Sequence, residues 1–453
     1  MNSEIKVYRR ANGEIQRVQY VQLEDWSMLD FLYPKSNDKA LDCFCDIYQN
    51  YLVPACPWVF ENMILFRLPE DAEINVSFQT EKFGVVKDEL TAVSAILQKG
   101  VRVFRGKPVF LSQQAKVLWQ ELKAHDCIRI VKGKRPTTKV IPVGAFAGYL
   151  SDSEKDATLK VNASFFIMDP FDCATVYDHV GMPFGLCVKD GVITSPPLFG
   201  REALLVDKMG KVSVREMDVR QLTVEINGTC YTHGKNATIY TRPERTKTPS
   251  GKGKKLVITG RHVVAVREEG SVPIPASGFV LCPHEECEIL ENLTIAARNP
   301  ITYHGLEDII FGIQVGNSII RNGVKTEQFI SQFYNIRRLE RVSYPPCLYP
   351  MDFANARAAR MALGADSDGK PMLFWAEGAG KSEYTPGKDS TGASLTEMAE
   401  IAEDLGMIWA VNLDGGGSAQ MLIDNKRFLR ISDRNKKDNS DAERLVPMGL
   451  IVR

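Results

Sequence analysis

The sequence predicts an α+β protein that is mostly β, with an α+β accessory unit at its N terminus. From about residue 127 onward, short runs of β-forming residues alternate with turn dipeptides. Near the C terminus, a helix with strong end signals leads directly into a buried strand. The composition, with 44% hydrophobic residues and 56 basic against 56 acidic residues, is that of a globular chain and excludes intrinsic disorder. We expect an accessory domain at 1–115 and a β-rich domain at 116–453.

The accessory unit opens with a predicted hairpin. Residues 5–21 alternate around Asn12-Gly13, a dipeptide that tolerates positive φ and therefore favours a tight turn. Helices are predicted to follow between Asn37 and Pro54, at 86–99 and at 113–125. None of these segments carries a combination of residues that points to chemistry, so the sequence leaves the role of this unit open.

The larger unit is predicted to be mostly strand. Its β-rich runs are separated by turns that end in glycine, a residue that adopts positive φ without steric cost. These turns are Lys189-Asp-Gly191, Lys208-Met-Gly210, Arg321-Asn-Gly323 and Ser367-Asp-Gly369.

The C-terminal third has the clearest local pattern. Ser394-Leu-Thr-Glu397 is a capping box, and the apolar spacing that follows predicts a helix at 395–405 that ends at Gly406. The run at 407–413 predicts a buried strand, and Asp414-Gly-Gly-Gly-Ser418 follows it at once. Helix, strand and glycine loop together are typical of a functional site.

The glycine loop has two interpretations. Three consecutive glycines allow positive φ and leave backbone amides unshielded, so the amides can converge on an anion or a sugar oxygen. Asp414 lies at the end of the strand, with Asn412 and Ser418 beside it. The alternative is a plain tight turn with a capping aspartate. Because a simple turn needs one glycine rather than three, the pattern favours a site, but it does not name a reaction.

Charge and patterning argue against several classes of function. The net charge is zero, so the chain lacks the basic character of a general nucleic-acid binder. No window approaches the roughly 18 to 20 apolar residues of a membrane-spanning helix, so membrane insertion is not expected. The N terminus lacks the apolar segment of a secretory signal. We therefore expect a cytoplasmic protein, although a phage or virus particle component would have the same features.

Two stretches imitate a nucleotide-binding P-loop without completing it. The stretch 364–370 has the spacing but continues with Pro371 where Ser or Thr must hold magnesium, and the stretch 375–382 has Trp375 in place of the first glycine. ATP or GTP binding is therefore not expected.

Five motifs in order resemble those of the phosphodiester glycosidase family. They are Asn162-Ala-Ser-Phe-Phe166, Arg360-Met-Ala-Leu-Gly364, the capped helix at 394–406, the loop at 412–418 and Glu443-Arg-Leu-Val446. The resemblance covers about 120–453. Two positions depart from the family pattern: its early glycine pair is Ala163-Ser164 here, and its Asp-Gly-Arg is Glu377-Gly-Ala379.

This resemblance implies a β-rich, mixed-sheet domain that cleaves a sugar from a sugar-phosphate diester at the anomeric carbon. Such a reaction needs a carboxylate that stabilises positive charge or attacks, and cationic or amide donors for the departing phosphate. The catalytic candidates are Asp414, Glu377 and Glu443. The substrate-binding candidates are Arg360 and Arg444 for phosphate, the amides of Gly415, Gly416, Gly417 and Ser418 beside them, and Asn162 and Asn412 for sugar hydroxyls or carboxylate orientation.

The expected partner is a small-molecule or glycan phosphodiester, and two other functions stay open. The changes at 163–164 and at Ala379 fit a carbohydrate-binding or particle-structural protein that keeps the scaffold without turnover. Clustered carboxylates and backbone oxygens suit Ca²⁺ or Mg²⁺ and fit a metal-dependent phosphodiesterase. The sequence assigns no metal ligands. It also leaves open the sugar, the stereochemical outcome and the oligomeric state.

Overall fold

The computed structural model describes residues 2–34, 63–66, 96–97, 100–104, 107–125, 128–131, 148–167, 175, 182–242, 244–284, 301–326, 355–378, 385–434 and 438–453. The helix predicted between Asn37 and Pro54 and most of the one at 86–99 lie outside this part of the chain.

The described residues form a β-rich α+β structure, which confirms the predicted class. In chain order the strands are β1 (Asn2–Arg9), β2 (Ile15–Gln22), β3 (Asp30–Leu32), β4 (Met63–Phe66), β5 (Val101–Phe104), β6 (Lys107–Phe110), β7 (Ile128–Val131), β8 (Leu159–Asn162), β9 (Cys187–Lys189), β10 (Val192–Ser195), β11 (Arg201–Asp207), β12 (Val212–Met217), β13 (Thr223–Ile226), β14 (Thr229–Thr232), β15 (Ala237–Tyr240), β16 (Lys252–Thr259), β17 (His262–Glu269), β18 (Gly278–Pro283), β19 (Ile301–His304), β20 (Ile309–Gln314), β21 (Ser318–Arg321), β22 (Val324–Lys325), β23 (Arg360–Asp366), β24 (Pro371–Ala376), β25 (Met407–Asn412), β26 (Met421–Ile423) and β27 (Gly449–Val452). The α-helices with defined bounds are α1 (Gln113–Ala124) and α2 (Leu395–Asp404).

A seven-stranded sheet in the order β1-β2-β24-β23-β25-β21-β22 is the largest of the described sheets. The predicted hairpin around Asn12-Gly13 is confirmed as β1 and β2. Strand β2 continues the sheet by pairing with β24, with Val18 opposite Ala376. Strand β3 pairs with β27 in a second sheet. The structure therefore places residues 2–32, predicted as part of a separate accessory unit, in the same sheets as residues of the C-terminal third.

Helix α2 covers one face of the seven-stranded sheet. Its predicted capping box is present, since the Ser394 side chain accepts from the Glu397 amide and the Glu397 carboxylate accepts from the Ser394 amide. Met398 and Ile401 pack with Phe374 of β24 in one hydrophobic cluster. Burial of this apolar face anchors the helix and brings it back along the sheet into β25.

The opposite face of that sheet packs against the four-stranded sheet β26-β8-β27-β3. Trp375 and Val411 share a core with Val161 of β8 and Leu450 of β27. This contact brings the end of β8 next to the end of β25, the two strands that carry the predicted site motifs.

The remaining large sheets lie in the middle of the chain. They are the five-stranded sheet β10-β9-β20-β11-β12, the three-stranded sheet β14-β13-β19 and the four-stranded sheet β15-β18-β16-β17. The predicted helix at 113–125 is confirmed as α1, with Ser112 as its N-cap, and it packs on the last of these sheets.

The four predicted glycine turns each join neighbouring strands: β9 to β10, β11 to β12, β21 to β22 and β23 to β24. Within the described part of the chain, the pairs between named strands are antiparallel rather than mixed. Short turns of this kind permit only antiparallel pairing of the strands that they join. No helix in the same residues is long and apolar enough to cross a membrane.

Candidate active site

The predicted site motifs meet at one end of the seven-stranded sheet. Because its strands are antiparallel, the end of β25 lies beside the start of β23, and the start of β23 lies beside the end of β24. Asp414 follows β25, Arg360 begins β23 and Glu377 follows β24. Strand β8 of the neighbouring sheet reaches the same region with Asn162 at its end.

Asn162 ties the glycine loop to β8. Its Nδ2 donates to the Asp414 carbonyl oxygen at 2.7 Å, and its Oδ1 accepts from the Gln420 amide at 3.0 Å. The Asp414 amide in turn donates to the Ala163 carbonyl at 3.0 Å. Since both ends of the Asn162 side chain bind backbone, this residue holds the Asp414 backbone in place.

The Asp414 carboxyl group is buried but incompletely paired. Asp414 is 8% exposed and its Oδ1 accepts from the Gly415 amide at 2.9 Å. Among the described residues its Oδ2 lacks a well-aligned hydrogen bond, and the Ser418 hydroxyl is the neighbouring donor. Burial raises the pKa of Asp414 to about 6, against the opposing effects of Ser418, Arg444, the Gly415 amide and Arg360. Burial therefore disfavours the charged form of this carboxyl group relative to an exposed aspartate.

Other buried polar atoms around Asp414 also lack partners in the described part of the chain. They are Ser164 Oγ, Asn412 Oδ1 and Gln420 Nε2, together with Ser418 Oγ of the glycine loop itself. Each residue is next to the Asp414 contacts: Ser164 follows Ala163, Asn412 precedes Asp414 by two positions, and Gln420 binds Asn162. Because buried polar atoms in native proteins are nearly always paired with protein or ordered water, these atoms have hydrogen-bonding capacity that a water or a polar ligand can use.

The sequence did not assign Ser164 or Gln420 to the site. Ser164 was noted only as a departure from a glycine motif. Gln420 follows Ser418 by two positions, a spacing that could have indicated the same side of an extended chain.

Three of the four loop amides predicted to bind phosphate, those of Gly415, Gly416 and Ser418, donate within the protein. The Gly415 amide binds Asp414 Oδ1, the Gly416 amide donates to the Ala359 carbonyl at 2.7 Å, and the Ser418 amide donates to the Gly415 carbonyl at 3.2 Å. These bonds fold the loop back onto β23 and hold the Asp414 carboxyl group in place.

Arg444 forms a two-point ion pair with Asp433 directly over Gly417. Its Nε donates to Asp433 Oδ2 at 3.0 Å and its Nη2 lies 2.9 Å from the same oxygen. A methyl group on Gly417 would overlap both the guanidinium and the carboxylate. Asp433 is a residue of the site that sequence reasoning missed, and no local pattern around it signals this contact.

Arg360 is also engaged by the protein. Its Nε donates to the Ala393 carbonyl at 3.2 Å and its Nη2 to the Ala356 carbonyl at 2.9 Å. Like Arg444, it lowers the pKa of Asp414 through its charge. Both arginines therefore act on the carboxyl group electrostatically while they hold the surrounding backbone, rather than extending toward a phosphate as predicted.

The three predicted catalytic carboxylates differ in how completely their oxygens are paired. Glu377 accepts from Arg17 Nη1 at 3.0 Å and from the Arg430 amide at 2.8 Å, one bond at each oxygen. Glu443 accepts from the Ser151 amide at 3.0 Å and pairs with Arg427 through its other oxygen. Of the three, only Asp414 keeps an oxygen without a well-aligned hydrogen bond in the described part of the chain. The geometry favours Asp414 as the reacting carboxylate and does not support that role for Glu377 or Glu443.

The raised pKa of Asp414 predicts how its replacement changes stability with pH. Because the folded protein binds this proton more tightly than the unfolded chain, the charged carboxylate destabilises the fold above pH 6, by about 3 kcal/mol at most, and has no such effect below about pH 4. We expect Asp414→Asn, which is neutral throughout, to be more stable than wild type at pH 8 and nearly equal to it at pH 4. Urea unfolding at both pH values measures the difference. A stability difference that does not change with pH would contradict the assigned burial.

A model of the family described as phosphodiester glycosidase matches residues 220–453. The mouse N-acetylglucosamine-1-phosphodiester alpha-N-acetylglucosaminidase is 38% identical over 71 residues, which are 16% of this chain and 12% of that enzyme. The match therefore covers only a small part of the mouse enzyme.

Two solved structures are also similar. A hypothetical protein from Synechocystis is 18% identical with a TM-score of 0.39, over 68% of this chain and 54% of that one. The catalytic domain of the zebrafish N-acetylglucosamine-1-phosphodiester alpha-N-acetylglucosaminidase, auto-inhibited by its pro-peptide, is 16% identical with a TM-score of 0.24, over 56% of this chain and 81% of that one.

Proposed function

Because this chain belongs to the phosphodiester glycosidase family, we propose that it hydrolyses sugar-phosphate diesters at the anomeric carbon, with Asp414 as the reacting carboxylate. The observation that carries this assignment is the buried Asp414 Oδ2, which lacks a well-aligned hydrogen bond among the described residues. Glycosidic cleavage passes through an oxocarbenium-like transition state, and a carboxylate held against the anomeric carbon stabilises it or attacks it.

The bond changes follow from the chemistry of the leaving group. The bond between the anomeric carbon and the bridging oxygen breaks, and the electron pair leaves with the phosphate. Water supplies the new hydroxyl group of the sugar and releases a proton. A phosphate monoester is a weak base, so it departs without a strong general acid. Asp414 then acts in its charged form, which predominates above pH 6.

Sugar recognition is assigned to the buried polar atoms around Asp414. Ser164 Oγ, Asn412 Oδ1 and Gln420 Nε2 have unused hydrogen-bonding capacity in the described structure and supply both donors and acceptors. The Gly415 amide binds the Asp414 carboxyl group, Asn162 binds the Asp414 backbone carbonyl, and Arg444 acts on the carboxyl group through its charge. Glu443 is assigned a positioning role, because it pairs with Arg427, and Arg427 donates to Gln420 Oε1.

The test is a product assay on a panel of sugar-1-phosphodiesters that differ in the sugar and in its anomeric configuration. The name of the mouse relative specifies N-acetylglucosamine, so we propose the α-linked N-acetylglucosamine diester as the first substrate. We expect free sugar and a phosphate monoester as products. Binding of a diester without product at stoichiometric protein would support a non-catalytic carbohydrate-binding protein instead.

The metal-dependent alternative has less support from the described residues. No group of three or more His, Cys, Asp or Glu side chains among them is arranged to hold a metal ion. The Asp414 surroundings contribute one carboxylate oxygen without a well-aligned hydrogen bond, whereas Ca²⁺ and Mg²⁺ take several oxygen ligands.

A further inference from the structure

A polar pocket lies at the end of β24, the same end of the seven-stranded sheet that carries Asp414. It has a volume of about 240 Å³ and is lined by the cations Arg17, Lys388, Arg430 and Arg434, the carboxylates Glu377 and Asp389, and the polar or small residues Gly378, Thr385, Ser390 and Asn439. Four cations face two carboxylates, so the lining carries a net positive charge.

The three arginines are fixed in place by the protein, but their charge is only partly neutralised. Arg17 donates to Glu377 and to the Lys388 carbonyl, the latter at 2.6 Å. Arg430 and Arg434 share one carboxylate, Asp441, at 3.1 and 3.2 Å. The single negative charge of Asp441 is thus shared by two guanidinium groups. Lys388 is exposed at the rim of the pocket.

The shortage of negative charge affects the pKa of Arg434. Its side chain is 10% exposed, and burial together with the nearby charge of Arg430 lowers its pKa, although Asp441, Glu377 and Asp433 oppose the change. A buried guanidinium with incomplete compensation favours an additional anion.

The pocket and the Asp414 loop share a wall. Gly378 of the pocket packs against the backbone of Ala359, and the Ala359 carbonyl accepts the Gly416 amide on its other side. The chain gives a second connection, because Arg434 of the pocket directly follows Asp433. Asp433 pairs with Arg444, and both side chains lie against Gly417 of the loop. The pocket and the Asp414 loop are therefore neighbours across Ala359.

We propose that this pocket is an anion subsite that binds the phosphate-bearing leaving partner of the substrate. The inference rests on the proposed hydrolysis. It gives the phosphate a binding site other than Arg360, which binds backbone carbonyls, and Arg444, which pairs with Asp433. Fixed guanidinium groups around a small pocket suit a tetrahedral dianion, because several charge-assisted hydrogen bonds can form at once. The volume accommodates a phosphate with part of the group that carries it.

The experiment titrates inorganic phosphate into the full chain by calorimetry at constant ionic strength. We expect saturable binding in wild type and a dissociation constant raised about tenfold by Lys388→Glu, since an approaching dianion meets a reversed charge. Lys208→Glu is the matched control, because Lys208 is an exposed lysine on the turn between β11 and β12. A second variant, Arg434→Gln, should weaken binding further if it folds.

Two further titrations separate this inference from the proposed function. Asp414→Asn should bind phosphate as well as wild type does, whether or not wild type hydrolyses any diester. A phosphate monoester should compete with inorganic phosphate while its dephosphorylated counterpart does not. Absence of saturable binding, equal binding by wild type and Lys388→Glu, or loss of binding in Asp414→Asn would each overturn the subsite.

Discussion

Asp414→Asn is expected to reduce sugar release at pH 7 by about a thousandfold or more, within the range found for positioned catalytic groups. The substitution removes the charge that the proposed mechanism places against the anomeric carbon but keeps the shape of the side chain. The Gly415 amide can still donate to the amide oxygen of the new residue, and Asn162 still binds its backbone carbonyl. The measurement is the initial rate of free-sugar release from the preferred diester, compared with wild type.

Asp424→Asn is the matched control for this loss. Asp424 is exposed and adopts a φ of 47°, a conformation that asparagine tolerates as well as aspartate does. Its replacement should leave the rate unchanged. If Asp414→Asn turns over the diester at a rate near that of wild type, Asp414 has no part in the chemistry.

Gly417→Ala is expected to lower kcat by about a hundredfold while the fold remains intact, because misplacement of a catalytic group by about 1 Å has an effect of this size. The added methyl group overlaps Arg444 and Asp433, both of which can move because the overlapping atoms are at the ends of their side chains. Movement of this ion pair shifts the charge that acts on Asp414. Rates and urea unfolding curves for the variant measure the two effects separately.

Gly228→Ala is the control for glycine substitution in general. Gly228 has a φ of 80° and open space around it, so the variant reports the effect of backbone strain without overlap. We expect a loss of about 1 kcal/mol in stability and full activity. Equal rates for Gly417→Ala and wild type would mean that the Arg444–Asp433 pair does not control the carboxyl group.

Local sequence patterns predicted the element that leads into the site. The structure confirms three local predictions: the capping box at Ser394, the apolar face of α2 and the strand β25. All three lie within residues 394–412. Helix ends and buried strands depend on neighbours in the chain, which explains why these predictions hold.

Local sequence patterns could not predict the contacts that pair Glu377 and Glu443 and leave Asp414 incompletely paired. Glu377 is paired by Arg17, which lies 360 positions away, and Glu443 is bound by the amide of Ser151, 292 positions away. The pairing of β2 with β24 that brings Arg17 to Glu377 is likewise a long-range contact. Nothing in the spacing around either glutamate reports these partners.

Long-range contacts also explain most of the glycines in the loop after β25. Positive φ was the expected reason for its three glycines, but it applies only to Gly416, with a φ of 60°. A side chain on Gly415 would meet the Ala359 carbonyl at 2.8 Å, and one on Gly417 would meet the Arg444–Asp433 pair. Two of the three glycines are therefore required by contacts with distant segments of the chain.

The most direct test of the central claim is hydrolysis of the preferred sugar-phosphate diester in ¹⁸O-labelled water. Attack at the anomeric carbon beside Asp414 predicts that mass spectrometry finds the label in the released sugar and none in the phosphate monoester. Label in the phosphate monoester would mean that the bond to phosphorus breaks, and it would contradict the assignment of this site as a glycosidase.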